Sequence, residues 1–425
     1  MSLRSAIFAL TCLAAACGGE ARPAAQSAIA IAGVTSPSPS PSPRSESAVA
    51  VAVTPPSPRS QDLEAQLRQH PRLAPLVERA AAYRMQVLVS VPAEGNAGWQ
   101  RRDGFRVDAE YFYPASAIKL VEAVAALEAV TELRESRASG LEVGAGFVSE
   151  SASKRRSGVA TIANLVSAAI VISDNDASND LLDLAGFDGL HQRMWRLGLS
   201  SVRIRHRLAV PSSDDARSTP RIELFAGPVP VVIAPREGRV VLGKNEESGV
   251  RVGESHLAAG RLVEEPMSFE AKNRVSLQDL QDLLVAVTRP ELRGGAVPRL
   301  GERERSLLIE SLTALPSARG LSVSADAEHK PLLAGIERVV PRSSLTVASK
   351  GGRAYGFVID NAHVVDARTG RSFFMTATLH VNANGRMNDD LYEYREVALP
   401  ALADLGELVA RSVFEDPTTS ATQLR

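Results

Sequence analysis

Cysteine is nearly absent. Cys12 and Cys17 are the only two in 425 residues, and both lie close to the N-terminus. No disulfide framework and no cysteine metal site is therefore available to the rest of the chain. An excess of charge of one sign is missing too. The net charge is −1, which argues against a nucleic-acid or polyanion partner. The seven histidines are scattered, without H-x-H or H-E-x-x-H spacing. No metal mechanism is indicated, no cofactor is expected, and His206, His363 and His380 read as surface or core residues. There is no G-x-S-x-G elbow and no glycine-rich phosphate loop ending in G-K-S or G-K-T. The apolar run Ala6–Ala16 is too short to span a bilayer.

That short run has a meaning of its own. Arg4 precedes it, and small residues lead to Cys17-Gly18-Gly19. A basic start, a short apolar core and small residues before a cleavage point describe a secretory signal. The stretch directly before Cys17 resembles a bacterial lipoprotein signal. That resemblance implies lipidation of Cys17, secretion across the inner membrane and a lipid anchor in the cell envelope. Residues 18–60 follow, with TSPSPSPSPR and TPPSPR as their core. Pro/Ser sequence of this kind builds no hydrophobic core and stays extended, so 18–60 is read as a tether. The folded domain is expected over residues 61–420. Its composition is ordinary for a globular protein, 44% apolar and 23% charged.

Within that domain, Leu63, Leu67, Leu73, Leu76 and Val77 predict a helix over 61–83. MQVLVSV (85–91) reads as a strand, and a turn near Gly95 leads to a second strand near Trp99. A helix opens at Ser116, with Leu120, Val121, Val124 and Leu127 at helical spacing. Thr161 is placed to cap another helix carrying Leu165, Ala169 and Ile172. Residues 177–185 and 190–197 continue the helical middle. Strands return at Tyr355–Ile359 and Ser372–Val381, and a helix from about Leu399 to Phe414 closes the domain. The expected fold is therefore α+β: one antiparallel sheet built from both chain ends, flanked by helices, with an inserted and mostly helical subdomain.

Chemistry concentrates in three places. Ser116 and Lys119 are three apart at a helix start, so both lie on one face. A serine hydroxyl is a weak nucleophile until a base takes its proton, and a desolvated lysine beside other cations can be that base. Ser173-Asp174-Asn175 follows an apolar helix, and Lys350-Gly351-Gly352 precedes a strand. Each motif alone has a bland reading: a chance Ser-x-x-Lys, a helix cap, a solvated turn. Together, in this order, they resemble the set found in class A β-lactamases and penicillin-binding proteins.

On these motifs, and on YPASAIKL, SDNDASNDLL and LGLSSVRI around them, residues 65–415 resemble the penicillin-recognising serine hydrolases, class A β-lactamase-like proteins above all. The first two motifs are 57 residues apart, from 116 to 173, close to the family's usual spacing. The resemblance implies Ser116 as the acylated nucleophile and Lys119 as its proton acceptor. It implies that Ser173 passes a proton to the leaving nitrogen and that Asn175 holds Lys119 and the substrate amide. Lys350 would keep the field positive and attract a substrate carboxylate. Gly351, Gly352 and Arg353 would line the substrate, with the N–H groups of Ser116 and Arg353 as oxyanion donors. The implied partner is a small-molecule β-lactam or a peptidoglycan peptide, met by a monomer.

Two departures stand out. Gly351 replaces the usual Thr or Ser, whose hydroxyl bonds a substrate carboxylate. The loop that carries a deacylating glutamate in class A enzymes should fall at 201–220, which contains none and has Arg205, His206 and Arg207 instead. From Ser173 to Lys350 the chain runs 177 residues, longer than usual. The excess is assigned to an insertion over 222–272, read as a strand-rich hairpin over the site. Glu223, Glu264, Glu265 and Glu270 there are candidate carboxylates, with surface charges as the simpler reading. Three functions stay open: β-lactam hydrolysis, a peptidoglycan D,D-peptidase or related amide/ester hydrolase, and a non-catalytic envelope binding protein. Without the loop glutamate, a long-lived acyl-enzyme with penicillins is expected.

Overall fold

The structure is a computed structural model, and it describes residues 61–415 apart from 94, 96–97, 151–159 and 211–216. Cys17 and the tether over 18–60 lie outside the described residues. All of the described residues belong to one unit.

Both chain ends build the main sheet, as the sequence predicts. Its order is Leu345–Ser349, Phe357–Asp366, Ser372–His380, Gln86–Pro92, Trp99–Phe105, and Gly352–Ala354 also pairs with Phe357–Asp366. Every pairing is antiparallel. Side chains alternate across the sheet. Val87, Val89 and Val91 join one apolar cluster with the terminal helices, through Leu67, Leu402 and Leu405. Leu88, between them in sequence, joins the other cluster with the helical middle. Both faces are covered, and polar strand residues such as Asp360, Asn361 and Thr376 are buried with the apolar ones.

The first helix differs from expectation. Residues 61–83 form Gln61–Gln69 and Ala74–Glu78 rather than one helix. Pro71 lacks an N–H and disfavours helical geometry in the residue before it, so the chain breaks at His70-Pro71. The serine helix runs Lys119–Ser136, entered through a tight turn Ala115–Ile118. Its residues are buried all round from Lys119 to Thr131, not only along one stripe. A helix of this kind lies inside a core. Thr161 caps Ile162–Val171 by accepting from the Asn164 N–H at 3.1 Å. Helices Asn175–Ala185 and Phe187–Arg196 follow, and Leu399–Phe414 closes the chain.

The segment 222–272 is strand-rich, including Ile222–Phe225, Val231–Ile233, Ser255–Ala258 and Arg261–Val263. Its first strand pairs with Gly146–Ser149 in a separate small sheet. Among the described residues no helix is long and apolar enough to cross a membrane.

Candidate active site

The third motif sits at a fault in the sheet. Leu345–Ser349 and Gly352–Ala354 both pair with Phe357–Asp366, so Lys350 and Gly351 are the break between two segments of one edge. Lys350 thus follows a strand as well as preceding one. Gly352 then presses on the turn that carries the serine: a Cβ there would come 2.7 Å from the Ser116 nitrogen and 2.6 Å from that of Ala117. Only glycine permits so close an approach. Tyr355 and Gly356, read as strand, form a left-handed turn instead, with φ of 54° and 80°.

The second motif sits just before a helix. Asp174 caps Asn175–Ala185, its Oδ1 accepting from the Ala177 N–H at 2.7 Å. Ser173, one residue earlier, is left-handed at φ 59°, and Ala115 beside Ser116 is left-handed at φ 46°. Such backbone is sparsely populated outside glycine and persists where the surroundings hold it. Here it turns both Ser173 oxygens toward Lys119.

Lys119 is fully buried. Its Nζ donates to the Ser173 carbonyl, to Ser173 Oγ at 3.1 Å and to Asn175 Oδ1 at 2.7 Å. An ammonium has three donors, and all three are used. Lys350 Nζ donates to the same Ser173 Oγ at 3.1 Å and to the Gly351 carbonyl at 2.9 Å. A hydroxyl has two lone pairs and one proton. With both lone pairs taken by lysines, the Ser173 proton is left to point elsewhere, toward the cleft. Ser116, Ser173, Lys350, Gly351, Gly352 and Arg353 all line that cleft, of about 220 Å³. Lys119 and Asn175 lie beneath them. Every motif residue proposed from the sequence is therefore in one place.

Burial sets the charges. Desolvation lowers Lys119 to about 8, while Glu122 and Asp174 pull it upward. Desolvation also pushes Lys350 well below its usual value, with Lys119 and Lys330 adding repulsion. Of the two causes expected from the sequence, burial comes first for both lysines, and repulsion between them acts on Lys350. Glu122, one turn beyond Lys119, is raised to about 7 by complete burial. Ser178 donates to its Oε2, and its Oε1 has no partner.

Two cleft residues were not legible in the motifs. Glu328 and His329, from the short helix Val323–His329, line the opening. They explain the missing hydroxyl of the third motif. A Cβ at Gly351 would stand 2.7 Å from the His329 carbonyl oxygen and 3.0 Å from that of Ile359. His329 is lowered to about 4 by burial, then by Lys350 and Arg353, so it is neutral at pH 7.

Among its described residues, the loop after Arg196 brings no carboxylate into the cleft wall. Asn179, one turn past Asn175, clamps Leu208 from both sides: its Nδ2 donates to the Leu208 carbonyl and its Oδ1 accepts from the Leu208 N–H, both at 2.9 Å. Arg205 and Arg207 are structural. Arg205 donates to the Lys272, Leu242 and Gly243 carbonyls, and Arg207 pairs with Asp183. His206 stacks over Tyr113 with centroids 6.5 Å apart. Glu223 pairs with Arg221, Glu270 pairs with Lys244 and Arg251, and Glu264 and Glu265 are exposed. No residue of 222–272 lines the cleft, so the insertion does not form its wall. His363 and His380 are buried core residues. Among the described residues no cluster could hold a metal ion.

Residues 100–294 match the family model described as the beta-lactamase enzyme family. No curated protein matches the chain. Solved structures similar to it include the acyl-enzyme complex of a PBP-A point mutant with penicillin G, at 17% identity and TM-score 0.49, covering 84% of this chain and 98% of that one. A β-lactamase from Desulfarculus baarsii is 20% identical with TM-score 0.44, over 80% and 95% of the two chains. One from Streptosporangium roseum is 18% identical with TM-score 0.47, over 80% and 97%. Residues 100–294, which carry Ser116, Lys119, Ser173 and Asn175, are thus similar to the β-lactamase-like serine hydrolase family.

Proposed function

We propose that the chain is a serine hydrolase that opens β-lactams through an acyl-enzyme on Ser116. The observation that carries this is the doubly accepting Ser173 Oγ between Lys119 and Lys350, whose proton is free to move. In the first step Ser116 Oγ gives its proton to neutral Lys119 and bonds to the carbonyl carbon. The C–N bond then breaks, Ser173 gives its proton to the leaving nitrogen, and Lys119 returns one to Ser173. The N–H groups at 116 and 353 receive the developing oxyanion. In the second step water adds to the ester carbon, the bond to Ser116 Oγ breaks, and a proton from that water returns to Ser116 Oγ. Mixing the protein with a penicillin and following its intact mass tests this, and the adduct is expected on Ser116.

A penicillin-trapping, D,D-peptidase-like protein is the second reading. The clamped loop favours it, because apolar Leu208 is held there and the stretch 201–220 has no glutamate to activate water. The lifetime of the adduct separates the two. Cys17 is proposed as the lipidated residue that holds the protein in the cell envelope, and incorporation of labelled palmitate, lost in Cys17→Ser, tests that.

A further inference from the structure

The cleft carries its own carboxylate. Its floor holds Lys119 and Lys350, and Arg353 stands at the rim. Among the described residues the one acidic side chain in the wall is Glu328. Its Oε2 accepts from Arg353 Nη2 at 3.2 Å, and its Oε1 accepts from Arg395 Nη2 at 2.8 Å. Burial favours its neutral form, but the hydrogen bonds from Arg395 and Arg353 outweigh this and keep it ionised. The Arg353 guanidinium also lies 5.2 Å over the Tyr394 ring, which keeps it at the rim when Glu328 moves.

Two features make this clasp easy to open. Arg395 is 75% exposed and Arg353 34% exposed, and pairs so exposed contribute little. The helix Val323–His329 buries none of its residues. It is tied by Asp326, which accepts from the Ser317 N–H at 2.8 Å and from Ser317 Oγ at 2.7 Å. Glu328 can therefore swing out while its helix stays attached.

We propose that Glu328 is a specificity gate: a built-in carboxylate that occupies Arg353 and Arg395 until the anionic group of an incoming acyl donor displaces it. An anionic donor then gains two guanidinium partners, and an uncharged one leaves the clasp shut. Where the donor lies rests on the proposed function, but the competition between two carboxylates does not require acylation.

The test uses benzylpenicillin and its methyl ester, which differ only in the carboxylate. Each is titrated by calorimetry into the full chain carrying Ser116→Ala, and into the same protein with Glu328→Gln added. The gate predicts that E328Q tightens the acid about threefold or more and leaves the ester unchanged. In the same background Arg395→Gln weakens the acid. The proposal is overturned if acid and ester shift together, if the acid binds no tighter to E328Q, or if the acid binds neither protein. Because Ser116 is absent, a wild-type protein that never forms an adduct, alongside tighter acid binding by E328Q, would end the hydrolase reading and keep the gate.

Discussion

Gly351 gives the sharpest mutational test, because chemistry and sterics point in opposite directions there. If only the missing hydroxyl mattered, Gly351→Thr would improve the site. The structure says otherwise. A Cβ at 351 would lie 2.7 Å from the His329 carbonyl oxygen and 3.0 Å from that of Ile359, inside the roughly 3.5 Å of relaxed contact. Both obstacles are backbone, and Gly351 itself is buried. The Ile359 strand is central to the sheet, so the Val323–His329 helix has to retreat. Overpacking of this kind costs about 1–3 kcal/mol. Gly351→Ala carries the same Cβ without the hydroxyl and separates the two effects. Chemical denaturation should show both variants losing about that much at unchanged slope. Acylation by a penicillin should be slower in both, with no advantage for Thr. A Gly351→Thr protein as stable as wild type and acylated faster would refute the steric account.

Three further outcomes follow from the site. Lys119 must be neutral to accept the serine proton, and its pKa is lowered to about 8, so acylation should rise with pH through that value. About 1% of the lysine is neutral at pH 6 and half at pH 8, a rate ratio of about fiftyfold, read from adduct formation against pH. Glu122 raises the Lys119 pKa, so Glu122→Gln should move that midpoint to lower pH, and a midpoint that stays put would mean Glu122 is purely structural. Asn179→Ala leaves the Leu208 N–H and carbonyl without their partners, and should cost about 1–3 kcal/mol in denaturant and speed proteolysis near 208.

The elements legible in the sequence were those coded locally. The Thr161 cap, the strands at 85–91 and 372–381 and the helix Leu399–Phe414 lie where period and capping put them. The three motifs were legible because each is contiguous, and the fold brings them to one cleft. What escaped depends on tertiary contact. The all-round burial of Lys119–Thr131 has no amphipathic signature, since its charged residues Lys119, Glu122 and Glu128 are buried with the rest and mark no outer face. Glu328 and His329 belong to a seven-residue helix with no buried residue, so no apolar period points to it. Gly351 looked like a lost function in the sequence. In the structure it is the space that the His329 carbonyl requires. The strand break at Lys350 was equally hidden, because both segments pair with Phe357–Asp366 in one continuous register.

The central claim is that Ser116 is acylated through Lys119 and Ser173. Intact mass followed over time, after mixing the full chain with benzylpenicillin, tests it most directly, with Ser116→Ala as the control. The account predicts one adduct per chain, absent in Ser116→Ala, whose lifetime then separates turnover from trapping. No adduct on the wild-type protein, or an adduct that survives in Ser116→Ala, would contradict it.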